Sequence, residues 1–210
     1  MQQRLAYGLS VLFHPGLIPT FAFWLLLYRF DPLVVVGDQA RVPLLLLVFF
    51  GTFLVPMLMV YVLKRGGQVS SLSLEEQSER PLPFLITAVF YAFFTFLFFE
   101  RTYFDQLLAF ILAGITVSVL LAAFITRIYK ISMHSLGLGG LVGALFALQL
   151  RYGHWIGFQE WLLFGLVASG LVMTARLYMQ AHTPGQVWLG WTLSALINFG
   201  TMQVYFALVD

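Results

Sequence analysis

Residues 174–190 read TARLYMQAHTPGQVWLG, a polar joint between two long apolar stretches. Residues 161–175 before it and 185–208 after it meet or approach the roughly 20 residues that a helix needs to cross a bilayer. The chain therefore reaches a membrane face, turns and goes back. At that turn it spends Arg176, His182 and Gln186, in a sequence that spends few polar residues elsewhere.

The same pattern recurs outward from this joint. Five further apolar stretches, at 8–28, 42–63, 82–99, 104–126 and 135–150, give seven in all. The 210-residue chain is 60% hydrophobic and 10% charged, with a mean hydropathy of +0.90. Soluble domains carry about 25% charged residues. The expected fold is all-α: one polytopic integral membrane helical bundle of six to seven transmembrane helices, a single domain over residues 1–210. The first stretch is interrupted by His14, Pro15 and Pro19 and lacks a small-residue cleavage site, so it reads as a membrane segment rather than a removable signal.

Composition excludes several chemistries. There is no cysteine, hence no disulfide frame and no thiolate metal site. A net charge of +2 gives no basic surface for nucleic acid. The closely spaced glycines of SLGLGGLVGALFA follow no strand, so they read as close helix packing rather than as a nucleotide loop.

Seven crossings sort the connections into two faces. One face receives the N-terminus, the loop KRGGQVSSLSLEEQSERP, the loop RIYKISMH and the joint RLYMQAHTP. The other receives RFDPLVVVGDQAR, ERTYFD, RYGHWIGFQE and Asp210. Arg4, Lys64, Arg65, Arg80, Arg127, Lys130 and Arg176 fall on the first face, against Arg29, Arg41, Arg101 and Arg151 on the second. The positive-inside rule turns the first face to the cytoplasm, although several of its cations are also candidates for chemistry, so the side that holds the site stays open.

The concentrated polar residues all lie on that first face. SERPLPF places Arg80 at the entrance to the third stretch. KISMHS places Lys130, Ser132 and His134 at the entrance to the fifth. The opening joint places Arg176 and His182 between the sixth and seventh. Helix N-termini carry unpaired N–H groups and about half a positive charge, which favours anions. Arginines, a serine hydroxyl, two helix N-termini and two histidines together describe a phosphate site that needs no metal or cofactor. The competing reading of each cation by itself is a snorkelling anchor. Glu75, Glu76 and Glu79 read as loop solvation, with tempering of the site's positive charge as the alternative. His14 reads as a satisfied histidine at a kink, with a place over the site as the alternative. His154 beside Trp155, and Trp188 with Trp191, read as interfacial residues, the last two also as the wall of a lipid entrance.

In order and spacing these residues resemble the type 2 phosphatidic acid phosphatase superfamily, whose helical core is shared with vanadium haloperoxidases. Its signature is a lysine, six residues and Arg-Pro, then Pro-Ser-Gly-His, then Ser-Arg, five residues, His, three residues and Asp. Here Arg80-Pro81 follows Ser73 in place of the lysine. Ile131-Ser132-Met133-His134 keeps the serine and histidine. Ala175-Arg176 precedes His182 at the required spacing, with Gln186 in place of the aspartate.

The resemblance implies a metal-independent phosphatase or phosphotransferase on a membrane phosphate lipid, such as phosphatidic acid, phosphatidylglycerol phosphate or a polyprenyl pyrophosphate. It implies His182 as the nucleophile that becomes a phosphohistidine and His134 as the acid and base. Arg80, Arg176 and Ser132 would bind phosphate, with Lys130 standing in for the missing lysine and Gln186 orienting His182. The expected location is the cytoplasmic membrane of a bacterium. The alternatives are a degenerate member that binds an anionic lipid without cleaving it, pointed to by Ser73, Ala175 and Gln186, and a small transporter, which the near absence of ionisable residues inside the stretches disfavours.

Overall fold

A computed structural model describes residues 2–100, 104–153 and 157–209. Seven helices are long and apolar enough to cross a membrane: α1 (Gln3–Arg29), α2 (Asp38–Arg65), α3 (Gln77–Glu100), α4 (Gln106–Ile125), α5 (Met133–Tyr152), α6 (Gln159–Tyr178) and α7 (Pro184–Val209). Each coincides with one of the seven apolar stretches to within a few residues at its ends, and no strand occurs among the described residues. The fold is the polytopic helical bundle that the hydropathy pattern requires. His154 and Trp155 lie outside the described residues, as do Arg101 and Asp210.

The closest packing joins α5 to α7, and the glycines explain it. A Cβ on Gly139 would overlap the backbone carbonyl of Trp191, and one on Gly143 that of Ala195. Helices approach this closely in a membrane only where neither side chain stands between them. The glycine run of α5 is therefore a packing face. Polar residues add glue deeper in the bundle. Ser118 Oγ accepts from Ser194 Oγ at 3.0 Å and from Asn198 Nδ2 at 3.1 Å, and Thr95 and Thr116 share a hydrogen bond of 2.8 Å.

Two prolines shape the other wall. Pro15 has no N–H to give, and His14 takes the extended backbone that a residue before proline favours, with φ −59° and ψ 132°. The N–H of His14 turns to Val11 O at 3.2 Å, so the carbonyl of Ser10 loses its intrahelical donor. α1 breaks there, and residues 2–12 pack against α6. In α2, Pro56 likewise leaves the carbonyl of Thr52 without a donor four residues on. A π-helical turn over Phe50–Leu54 absorbs the defect, and the Tyr91 hydroxyl donates to that carbonyl at 2.6 Å. The Thr52 hydroxyl donates to Val48 O at 2.8 Å and to Gly16 O at 3.2 Å, tying the two irregular segments together.

Candidate functional site

Three local devices bring the polar residues to one end of the bundle. The first is the cap of α5: Ser132 is its N-cap and accepts from Ser135 N at 3.4 Å and Ser135 Oγ at 3.0 Å. The second is the end of α6. Ala181 N donates to Arg176 O at 3.1 Å and Gln180 N to Leu177 O at 2.9 Å, with Gln180 left-handed at φ 54°. That is a Schellman turn built without glycine. It reverses the chain within a few residues and carries His182 back toward Arg176. The third is a bond from Ser132 N to Gln186 O at 3.3 Å, which sets the N-terminal ends of α5 and α7 side by side.

Arg80, His134, Arg176 and His182 thereby line one cavity of about 550 Å³, together with Ser10 and His14 of α1 and Ser73 of the loop. The cavity runs inward past apolar side chains such as Phe84, Ile115 and Leu141 and reaches Ser118, Ser194 and Asn198. It has a cationic head and a long apolar shaft. Such a shape suits an amphipathic ligand.

The two arginines differ in their partners. Arg80 is only 5% exposed; its Nε donates to Leu74 O at 2.7 Å and its Nη1 to Ile131 O at 3.1 Å. Among the described residues the ion pairs are Arg41 with Asp31 and with Asp38, so neither Arg80 nor Arg176 has a carboxylate partner. Arg176 Nε is buried and makes no hydrogen bond. Arg176 is half-buried and feels the Glu75 carboxylate at a distance, whereas Arg80 is a buried cation without a counter-charge, which costs several kcal/mol unless something anionic joins it.

His182 is held by Gln186. Gln186 Oε1 accepts from Thr183 N at 3.1 Å and lies 3.1 Å from His182 Nδ1. An amide oxygen only accepts, so Nδ1 carries the proton and Nε2 keeps a lone pair. Burial first, then the Arg80 and Arg176 guanidinium groups, push His182 from 6.5 down to about 4, against the hydrogen bond that it donates to Gln186. Its imidazole is neutral at physiological pH. His134 Nε2 lies 3.0 Å from Ser10 O, the carbonyl freed by the break in α1. Nε2 is therefore the donor, and Nδ1 is an acceptor in the neutral ring.

Not every residue expected at the site reaches the cavity. Ser132 is fully buried as the cap of α5 and is not on the cavity wall. Lys130 lies outside the wall too; burial, then Arg80, lower its pKa, while Glu76 and Glu75 act against this. Gln186 acts on His182 from behind. Glu79 accepts from Ser70 N and Ser70 Oγ at 2.9 Å each within its exposed loop, while Glu75 acts on Arg176 and, with Glu76, on Lys130. Trp188 is exposed, with its ring against Trp191.

Sequence reasoning passed over Ser10, and gave His14 only as the less favoured alternative. Their signal was the proline after His14. It marked a break in α1, and a break leaves polar groups free to face a cavity.

Fold and site together define an integral membrane helical bundle with a buried cationic pocket at one end. Comparisons with protein-family models, with curated proteins and with solved structures give no match.

Proposed function

We propose that the cavity binds the phosphate headgroup of a membrane lipid between Arg80 and Arg176, and that His182 transfers the phosphoryl group, making the protein a metal-independent lipid phosphatase or phosphotransferase. The observation that carries this reading is the pair of cavity-lining arginines, one 5% exposed, with no carboxylate at ion-pair distance from either. A phosphate supplies the missing counter-charge and accepts from several guanidinium N–H groups at once. The lipid tail lies along the apolar shaft.

The chemistry follows from the tautomers. The lone pair on His182 Nε2 attacks phosphorus, the bond from phosphorus to the lipid oxygen breaks, and the positive charge on the phosphorylated ring is balanced through Nδ1–H and Gln186 Oε1. The leaving oxygen takes a proton from His134 Nδ1. That requires His134 as imidazolium, a state favoured once the anionic phosphate sits beside it. Neutral His134 then accepts a proton from water through Nδ1 as the water attacks the phosphohistidine. The P–N bond breaks, and free phosphate and an alcohol result.

The test is phosphate release by purified protein from phosphatidic acid, phosphatidylglycerol phosphate and a polyprenyl pyrophosphate, with His182→Ala as the control. Release lost in His182→Ala supports the reading, and equal release by the two proteins sinks it. The uncharged Gln186 favours a second reading, a headgroup binder without turnover. Under that reading lipid phosphate binds to His182→Ala but not to Arg176→Ala, and no lipid is cleaved.

A further inference from the structure

The break in α1 leaves two polar groups on the cavity wall without protein partners. Ser10 is 7% exposed and its hydroxyl is buried with no hydrogen bond. A buried hydroxyl without a partner is destabilising, and a ligand acceptor or donor relieves it. One helical turn on, His14 Nδ1 accepts from Gly16 N at 3.2 Å. A nitrogen that accepts is unprotonated, so the ring is neutral and its N–H is on Nε2, the free nitrogen. The His14 ring packs edge-on against Phe53 at 5.3 Å and lies 6.0 Å from the ring of His134. Ser10 in turn gives its carbonyl to His134. Both groups thus flank the histidine that faces the leaving oxygen.

We propose that Ser10 and His14 form an uncharged subsite that takes a neutral oxygen of the ligand close to its phosphate, the hydroxyl or ester oxygen of a glycerol-type linker. The inference rests on the phosphate reading above and goes further by assigning the part of the lipid on the alcohol side. The two groups offer a hydroxyl and an N–H without charge, so they suit an ester or hydroxyl oxygen rather than a second phosphate, whose charge would call for another cation. The arginines already serve the phosphate. A lipid whose hydrocarbon begins directly at the phosphate leaves both groups unsatisfied, and a site built to hydrogen-bond an oxygen discriminates against the analogue that lacks it.

Two probes with one phosphate and similar tails separate the possibilities: palmitoyl lysophosphatidic acid, which has the glycerol ester and hydroxyl, and hexadecyl phosphate, which has neither. Affinities are measured on the purified full chain in detergent by calorimetry. The wild type is expected to bind the glycerol lipid about tenfold more tightly, the effect of about 1.4 kcal/mol. Ser10→Ala and His14→Phe should each bring that ratio at least threefold closer to one. His14→Gln should keep it, since its amide can accept from Gly16 N and still donate. Ser10→Ala removes a hydroxyl with no partner and so leaves the fold intact. Equal affinity for both probes in the wild type, or a ratio that neither Ser10→Ala nor His14→Phe changes, would overturn the subsite. Binding of neither probe would overturn the phosphate reading itself, and the subsite with it.

Discussion

Gln186 Oε1 stands 3.1 Å from His182 Nδ1 and also accepts from Thr183 N. The second bond orients the amide. With its oxygen fixed toward the imidazole, glutamine can set the tautomer that an aspartate would set, and lacks only the charge.

That missing charge can be restored. Gln186→Asp should raise the rate of phosphate release by about 10²-fold or more, since replacing the corresponding carboxylate by an amide in a Ser-His-Asp triad costs about 10⁴. Gln186→Leu, which removes the acceptor altogether, should fall below wild type. Single-turnover phosphate release from lysophosphatidic acid by the three proteins decides it. No gain in Gln186→Asp would count against His182 as the nucleophile.

The depressed His182 also ties stability to pH. Its value is 6.5 unfolded and about 4 folded, so between these values the unfolded chain binds more protons. Stability is then fully present above about pH 6.5 and is lost as pH falls toward 4, by up to about 3 kcal/mol. Thermal unfolding in detergent should show a lower Tm at pH 5 than at pH 7.5, and His182→Ala should reduce that difference.

Gln180 holds a left-handed φ of 54° in the Schellman turn between Arg176 and His182. Glycine adopts that conformation without the Cβ penalty of about 1 kcal/mol. Gln180→Gly should therefore raise unfolding stability by somewhat less than that, because glycine also makes the unfolded chain more flexible. Circular dichroism during denaturation measures it, and a clear loss of stability would contradict the turn described here.

The seam between α5 and α7 should be the least tolerant surface in the bundle. Gly143→Leu would place its side chain where the carbonyl of Ala195 lies and should cost several kcal/mol, enough to prevent recovery of folded protein. Gly170 has open space around its Cβ position, so Gly170→Ala should change stability by about 1 kcal/mol or less. Yield of monodisperse protein in detergent separates the two.

Much of this was legible in the residues. Hydropathy located all seven helices because a crossing helix leaves about 20 apolar residues in a row, and alternation of crossings put Arg80, His134, Arg176 and His182 on one face. Their spacing carried the resemblance to a phosphate site. It did not separate the residues that reach the cavity from those that support it. Ser132 looked like a phosphate ligand and is a helix cap, since a serine before a helix serves either purpose equally well.

The sequence by itself determined the bundle, its crossings and the face that gathers the cations, because those follow from burying apolar length in lipid. Tertiary structure alone decided which nitrogen of His134 is free, that Arg80 is buried without a carboxylate, and that a broken α1 brings Ser10 and His14 to the same cavity. Those outcomes depend on contacts between helices far apart in the chain. His134 meets the Ser10 carbonyl across 124 residues, and no local pattern encodes a hydrogen bond whose donor and acceptor meet only when the helices pack.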